Sequence, residues 1–274
     1  MTTGFLHPGA MGASLAAACR GERLWCGDGR SAATHARAAE AGLTDVGSIE
    51  TLVRRADVIV SVCPPASART VAETVAALGF AGIYVDVNAV APDTARAIGR
   101  RFERFVDGGV VGPPAVISGT TRLHLSGDEA PQVASLWTGS AVETRFVDGG
   151  IGAASAVKIC FAAWTKGTAA LLLAIRALAR AEGVEPALLA EWATSQLGLT
   201  ARSQRAATDN APKAWRFAGE LDEIADGFAA KGLPDGFGRA ASDVYERLAQ
   251  FRDRPDVTLD AVLAALAPPP ELCS

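Results

Sequence analysis

A glycine-rich turn near the start of the sequence carries the first residues whose types and spacing could do chemistry. The stretch HPGAMG at residues 7–12 is a GxGxxG pattern in which His7 replaces the first glycine. Gly9 would let the backbone approach a pyrophosphate, and Gly12 would let the next helix pack closely on a sheet. Free N–H groups at the start of that helix would bind the anion. The pattern predicts that a dinucleotide contacts Gly9, Ala10 and Met11, with a simple tight turn as the alternative.

A second segment, after the next predicted strand, bears on which dinucleotide binds. An acidic residue about 20 residues after the glycine turn would bind the ribose hydroxyls of NAD, and Asp28 is such a residue. Asp28 is equally typical of a turn between two glycines. Arg30, Ser31 and Thr34 cluster at a helix start, which suits the 2′-phosphate of NADP. We predict that these three residues bind NADP, and NAD remains the alternative.

Two further positions adjoin the same predicted site. Cys63 and Pro64 end a buried strand at the carboxyl edge of the sheet, where ligands of doubly wound sheets bind. The fixed φ of Pro64 would shape a rigid wall near the nicotinamide, although a plain strand-ending turn explains the sequence equally well. His7 either contacts the cofactor or substrate or only caps the first strand.

The elements that must position these residues alternate between strand and helix through the first half of the chain. Such alternation indicates βαβ units, a parallel sheet and helices on both of its faces. The predicted strands are Thr3–His7, Leu24–Cys26, Asp57–Cys63, Gly82–Val87, Phe105–Val111 and Arg122–Leu125. The predicted helices are Ala10–Cys19, Ser31–Ala41 with Ser31 as N-cap, Ser67–Leu78 and one that runs from Pro92 to near Arg101.

The pattern changes near residue 150, after which only helices are predicted. They are Ala154–Ala181, Glu185–Leu197, Leu221–Ala230, Arg239–Phe251 and Thr258–Leu266, before a proline-rich end after Ala267 that is expected to fray. The predicted fold class is therefore an α/β Rossmann-type doubly wound sheet followed by an all-α C-terminal domain. We expect an NAD(P)-binding domain at residues 1–150 and a helical domain at residues 151–274.

Composition excludes several classes of protein. The 274 residues are 49% hydrophobic and 20% charged, so the chain can bury a sizeable core. A net charge of −4 offers no strong basic face to nucleic acid. The most apolar stretch, Ile151–Leu178, carries Lys158, Lys166 and Arg176, which argues against a membrane span. Five cysteines without a CxxC pair indicate a reducing, cytoplasmic location with neither disulfides nor a metal site.

Four segments carry a resemblance to a known family. They are GFLHPGAMG at residues 4–12, DVNAVAPDT at 86–94, DGGVVGPP at 107–114 and GAASAVKIC at 152–160. In order and spacing they resemble GFxGLGxMG, DxSTxxPxT, DAPVSGG and GxxxxxKIC of the β-hydroxyacid dehydrogenase family, which includes 3-hydroxyisobutyrate and 6-phosphogluconate dehydrogenases. The resemblance implies a Rossmann domain, a helical domain that dimerises, and hydride transfer to or from a nicotinamide.

The resemblance also implies that Lys158 is the acid or base that exchanges the hydroxyl proton of the substrate. Its neighbours Ala154, Ala156, Val157 and Ile159 are apolar. Desolvation and the helix dipole would lower the pKa of such a lysine towards neutrality, where it can accept and donate a proton. The alternative is a solvated lysine on an exposed helix face.

The positions that border the expected substrate depart from the family pattern. Asn88 stands where the family usually has serine, and Val111 and Pro113 alter the turn around Gly112. We predict that Asn88 and Gly112 contact the substrate, and that Asn88 also contacts the cofactor. These departures leave the usual small hydroxyacid in doubt but not the fold.

A second departure lies on the helix of Lys158. Ala162 replaces the asparagine that the family has one turn after the lysine. Thr165, seven positions after Lys158 and therefore on the same face of a regular helix, is predicted to bind a substrate oxygen instead. Whether Lys166 or Glu220 joins the site stays open at this level.

These features together predict a dimeric, cytoplasmic, NADP(H)-dependent oxidoreductase that interconverts a hydroxyacid-like alcohol and its carbonyl compound. An imine reductase on the same fold is one alternative, although such relatives usually carry aspartate or tyrosine at the position of Lys158. A non-catalytic nucleotide-binding protein is the other. The partner molecules expected are a small substrate and a second copy of the chain.

Overall fold

A computed structural model describes residues 1–266 of the chain. The chain divides into two compact units, Met1–Phe161 and a second unit that begins at Ala162. The sequence placed this division after residue 150, before the helix that carries Lys158. The proline-rich end that was predicted to fray, with Cys273, lies outside the described residues.

The first unit contains one eight-stranded sheet with the strand order β3-β2-β1-β4-β5-β6-β7-β8. All neighbouring strands are parallel except β6 and β7, which are antiparallel. The predicted doubly wound α/β class is confirmed, with one antiparallel pair that alternation alone did not predict. The strands are β1 (Thr2–Leu6), β2 (Glu22–Trp25), β3 (Thr44–Asp45), β4 (Val58–Ser61), β5 (Ile83–Asp86), β6 (Phe105–Val111), β7 (Thr121–Ser126) and β8 (Val142–Phe146).

Six helices connect these strands, and a seventh follows β8. They are α1 (Ala10–Ala18), α2 (Ala32–Glu40), α3 (Ile49–Arg55), α4 (Pro65–Ala77), α5 (Pro92–Gly99), α6 (Ala130–Ala134) and α7 (Ala153–Ala162). The N-cap of α2 is Ser31, as predicted, and its hydroxyl accepts from the N–H of Thr34. The sequence missed β3, α3, α6 and β8, all of which are seven residues or shorter.

The central strands are apolar throughout because helices cover both faces of the sheet. Every residue of β4 and β5 is buried. Val58 and Val60 face one apolar cluster while Ile59, between them, faces the other, as the pleat of a strand requires. The core of the first unit therefore consists of two apolar layers that sandwich the sheet.

The second unit is all helical over its described residues, as predicted. Its helices are α8 (Thr168–Ala181), α9 (Glu185–Ser195), α10 (Leu199–Asn210), α11 (Ala214–Ala229), α12 (Gly236–Arg247) and α13 (Leu259–Leu266). The backbones of α11 and α12 approach closely, because a Cβ on Gly238 would lie 2.9 Å from the Cβ of Ala225. The buried Arg176 links α8 to α9 and α10. Its guanidinium donates to Glu185 of α9 at 2.6 and 2.9 Å and to the Ser203 hydroxyl of α10 at 2.8 Å.

The long helix predicted from Ala154 to Ala181 contains a π-helical turn at Ala163–Gly167. Its full extent, Ala153–Ala181, is long and apolar enough to cross a membrane on length and composition alone, with a mean hydropathy of 1.3. A core helix of a soluble protein passes the same test, so a single such helix assigns no membrane.

A buried carboxylate fixes the start of α7 to the sheet. Asp107 on β6 is fully buried, and its Oδ2 accepts from the backbone N–H groups of Gly152 and Ser155, both at 3.0 Å. The same carboxylate accepts from the hydroxyls of Ser155 at 2.5 Å and of Ser126 at 3.0 Å. The Ser126 hydroxyl accepts in turn from the N–H of Ala154 at 3.1 Å. These bonds satisfy N–H groups that a helix start otherwise leaves unpaired.

We expect Asp107→Asn to lower the free energy of unfolding by about 3 kcal/mol, because an amide N–H₂ would face donors that now meet a carboxylate oxygen. Urea unfolding followed by circular dichroism measures the change. The exposed Asp148→Asn is the matched control and should change stability by less than about 0.5 kcal/mol. Equal stability of the two variants would contradict the role given to Asp107.

Candidate functional site

The glycine turn after β1 ends in an open helix start. Gly9 is the N-cap of α1, and no side chain in residues 1–266 caps that helix by hydrogen bonding. A Cβ on Gly9 would meet only the His7 carbonyl oxygen, at 4.0 Å, so space remains above the turn. A Cβ on Gly12 would lie 3.1 Å from the same oxygen and 3.5 Å from the Cβ of Val62, so a larger residue would be tightly packed there. The uncapped N–H groups and this space fit a pyrophosphate.

Asp28 lies in a tight turn that follows β2. The N–H of Arg30 donates to the carbonyl of Gly27 at 3.0 Å, and Gly29 has a φ of 68°. Position i+2 of such a turn favours glycine because φ is positive there. Asp28 thus occupies this turn with its side chain exposed, and a contact with the ribose of NAD stays the alternative prediction.

Two arginines and two hydroxyls surround the start of α2. The hydroxyls of Ser31 and Thr34 are 3.1 Å apart, and Arg37 donates to the Thr34 hydroxyl at 3.2 Å. The guanidinium of Arg30 lies 2.5 Å from Nε2 of His7, which joins this cluster to the glycine turn. A groove of about 670 Å³ adjoins the cluster. It is lined by residues 27–30, His35, residues 46–48 and Thr51.

The imidazole of His7 is neutral at neutral pH. Burial, with a smaller contribution from the positive charge of Arg30, lowers the pKa of His7 to about 4. His7 also has a φ of 65°, in the left-handed region that is uncommon for residues other than glycine.

The loop after β4 is held by the side chain of Asn88. The amide oxygen accepts from the N–H of Cys63 at 2.6 Å, and Nδ2 donates to Ser61 at 3.1 Å and to Asp86 at 3.0 Å. Only 2% of Asn88 is exposed. Burial raises the pKa of the Cys63 thiol to about 12, so the thiol stays protonated. Pro64 follows as the exposed N-cap residue of α4.

Lys158 lies against the sheet beside β6. A Cβ on Gly109 would lie 2.9 Å from the Cβ of Lys158 and 2.7 Å from the carbonyl oxygen of Ala154, so α7 crosses β6 where the strand has no side chain. Lys158 is half-buried. Because Asp107 fixes the first turn of α7, it also fixes the position of Lys158 along β6.

Three comparisons with known proteins bear on this arrangement. Residues 179–248 match a family model described as a domain of unknown function, DUF1932. An uncharacterized 28.5 kDa protein of Methanothermus fervidus, from the 7S RNA 5′ region, is 31% identical over 166 residues, or 60% of this chain. The chain spans 64% of the length of that relative.

Two solved structures cover almost the whole chain. The conserved protein MTH1747, whose structure is described as similar to 3-hydroxyacid dehydrogenases, is 26% identical with a TM-score of 0.67 over 92% of this chain and 98% of its own. A 3-hydroxyisobutyrate dehydrogenase of Mycobacterium tuberculosis, solved with L-serine, is 21% identical with a TM-score of 0.68 over 97% of this chain and 98% of its own. The chain has the 3-hydroxyacid dehydrogenase fold. The predicted resemblance is confirmed at that level.

The 3-hydroxyacid dehydrogenase fold places most of the predicted site residues in the first unit. Gly112, at the end of β6, has a φ of 121°, and a Cβ there would overlap the carbonyl oxygen of Thr120. Gly112 is therefore needed for the connection to β7. The contacts predicted for Gly112 and Asn88 with a substrate stay predictions, and for Asn88 the amide already bonds within the fold.

Three other candidates lie in the second unit. Thr165 is in the π-helical turn, where the spacing of 3.6 residues per turn that placed it relative to Lys158 does not apply. Lys166 forms an ion pair with Glu220 and lies 4.3 Å from the ring centroid of Phe217. Burial lowers the pKa of Lys166, and Glu220 opposes that shift. The ion pair is thus a largely buried part of the helical core.

Sequence reasoning missed Ser126 and Ser155, which fix the start of α7, and it missed His124 on the same face of the sheet. His124 pairs with Gly109 across the β6–β7 ladder, so both face α7. Burial lowers the pKa of His124. The alternation of polar Arg122, His124 and Ser126 with apolar residues in β7 (TRLHLS) is the one local signal for such a face, and it is weak.

We expect Gly109→Ala to lower the free energy of unfolding by about 2 kcal/mol, because the added methyl group must displace α7. Thermal or urea unfolding measures this loss. Gly219→Ala is the matched control, since a Cβ at this helical position meets nothing within 4 Å. The control should be neutral or slightly stabilising. A Gly109→Ala variant as stable as the wild type would contradict the close packing of α7 on β6.

Proposed function

We propose that the protein is an NADP(H)-dependent oxidoreductase that interconverts a hydroxyacid-like alcohol and its carbonyl compound. The observation that carries the proposal is the position of Lys158 on α7. This helix packs against Gly109 near the carboxyl end of β6, and hydrogen bonds to Asp107 hold its start. Carboxyl ends of strands are where doubly wound folds bind their ligands. The likeness to 3-hydroxyacid dehydrogenases supports the same class of reaction.

The chain offers residues for each part of the proposed cofactor. The N–H groups of Ala10 and Met11 suit the pyrophosphate, and Gly9, whose own N–H donates to the His7 carbonyl at 2.7 Å, leaves space for it. Cys63 and Pro64 would border the nicotinamide. Arg30, Ser31 and Thr34 suit the 2′-phosphate, because a guanidinium and two hydroxyls lie at a helix start. The bound nicotinamide would supply or accept the hydride.

Lys158 would exchange the proton of the substrate. In the oxidative direction its neutral amine takes the hydroxyl proton while the carbinol hydride leaves, and in the reductive direction its ammonium returns that proton to the carbonyl oxygen. Asp107 would act as a positioning residue, because it orients the helix and touches no reacting atom. Asn88, Gly112 and Thr165 remain the proposed contacts of the substrate.

We expect Lys158→Met to lower kcat for 3-hydroxyacids by about 10²- to 10⁴-fold, because proton transfer loses its acid or base. The dissociation constant for NADPH should stay within about twofold of the wild type. Steady-state kinetics and cofactor fluorescence measure the two quantities. The exposed Lys213→Met is the matched control and should leave both unchanged.

Three other outcomes would redirect the assignment. Normal kinetics of Lys158→Met would contradict the role of the lysine. Amine-dependent oxidation of NADPH would favour the imine reductase. Tight NADPH binding without turnover of any carbonyl or imine compound would favour a non-catalytic nucleotide-binding protein.

We further propose that the protein is a cytoplasmic homodimer. Leu171 and Leu178 lie seven residues apart on α8, with exposed fractions of 59% and 63%, and Trp164 in the preceding π-helical turn is 62% exposed. A stripe of large exposed side chains at this spacing suits helix-to-helix association. Cys19, Cys26, Cys63 and Cys160 are free thiols, which suits a reducing compartment.

We expect Leu171→Asp to raise the dimer dissociation constant at least tenfold, or about 1.4 kcal/mol, because a carboxylate would be buried in the interface. Analytical ultracentrifugation without detergent measures it. Leu197→Asp, at a leucine that is 88% exposed outside the stripe, is the control and should sediment as the wild type does. A monomeric wild type that pellets with phospholipid vesicles would indicate instead that the apolar helix contacts a membrane.

A further inference from the structure

His7 occupies a position where the GxGxxG pattern has glycine, and the backbone there still adopts a conformation that favours glycine. Its φ is 65°. An L-residue in the left-handed region is strained relative to glycine, and such strain persists where the side chain contributes something in return. The contact that His7 makes is with Arg30, 23 positions later in the chain.

The direction of that hydrogen bond follows from the chemistry of its partners. A guanidinium has only donors, so Nε2 of His7 must accept from Arg30 at 2.5 Å. An accepting Nε2 in a neutral ring requires the proton to be on Nδ1. The ring is neutral because burial and Arg30 lower the pKa of His7 to about 4. Nδ1 is itself buried without a hydrogen-bond partner among the described residues, so the ring has Arg30 as its polar contact.

The hydrogen bond to His7 restricts the position of the Arg30 side chain. Arg30 is exposed and is the last residue of the Gly27–Arg30 turn. A guanidinium has five N–H donors, so one bond to His7 leaves the others available to an anion. The hydroxyls of Ser31 and Thr34 lie next to Arg30 at the N-terminus of α2, where the helix dipole also favours an anion.

We propose that His7 is a specificity-determining residue that positions Arg30 beside the start of α2, so that the chain selects a dinucleotide with a 2′-phosphate over one without. This inference depends on the proposed preference for NADP(H). His7 acts through Arg30 and is a positioning residue, whereas the family pattern has no side chain at this position.

The test compares the dissociation constants of NADPH and NADH in the full chain. His7→Gly fits the backbone conformation and removes only the ring. We expect NADPH to bind about tenfold more weakly in His7→Gly, with NADH within about twofold of the wild type. His7→Gln is the conservative variant, because its side-chain amide oxygen reaches the position of Nε2 and can accept from Arg30. It should retain most of the NADPH preference.

A double-mutant cycle with Arg30→Ala tests whether His7 acts through Arg30. If it does, His7→Gly should cause little further loss of NADPH affinity in the Arg30→Ala background. Additive losses would overturn the inference, and so would equal weakening of NADPH and NADH in His7→Gly, which would indicate a general distortion of the turn. Melting temperatures confirm that each variant is folded.

The outcomes separate this inference from the proposal on which it depends. A wild type that prefers NADPH and a His7→Gly variant with the same preference would overturn the role of His7 and leave the proposed cofactor intact. A wild type that binds NADH as tightly as NADPH would overturn the NADP assignment itself, and the role of His7 with it.

Discussion

The four hydrogen bonds of the Asp107 carboxylate are the constraint on which the position of Lys158 depends. The first turn of α7 contains no acidic residue of its own, so the negative partner for its free N–H groups comes from a strand. A cap supplied from within the helix would satisfy the same groups without locating the helix. Because Asp107 belongs to the sheet, it fixes the position of α7 along β6 and the rotation of α7 about its own axis. Lys158 lies one turn further along this helix, so its position is fixed as well.

Glycine has two different roles in this fold, and the difference explains why His7 is tolerated. Gly109 and Gly112 are required because a neighbouring backbone lies where a Cβ would be. No substitution at such positions avoids a collision. At the first position of the turn the requirement is only a positive φ, which a larger residue can adopt at a cost. His7 therefore fits, and its ring reaches Arg30, which no glycine could do.

Local patterns were sufficient for much of the fold, because the glycine turn, the Ser31 cap and the apolar strands β4–β6 are each encoded within a few residues. Two of the missed elements lack such patterns: β3 has two exposed residues, and α10 is polar and begins after Gly198 with a φ of 81°. The missed α3 does have one, a cap at Ser48. The Asp107 cluster was beyond sequence reasoning for another reason. Its partners lie 19 to 48 positions away, so nothing short of the folded sheet brings them together.

Asn88 shows how a motif residue can be located from sequence while its role changes with the surroundings. An asparagine amide has two donors and one acceptor group, and here they bond to Ser61, Asp86 and the N–H of Cys63. The serine usual at this position has one hydroxyl and could not bridge all three. A ligand that used the Asn88 amide would have to break one of these internal bonds, which is costly in a buried site. The exchange of serine for asparagine thus adds hydrogen bonds that join the ends of β4 and β5.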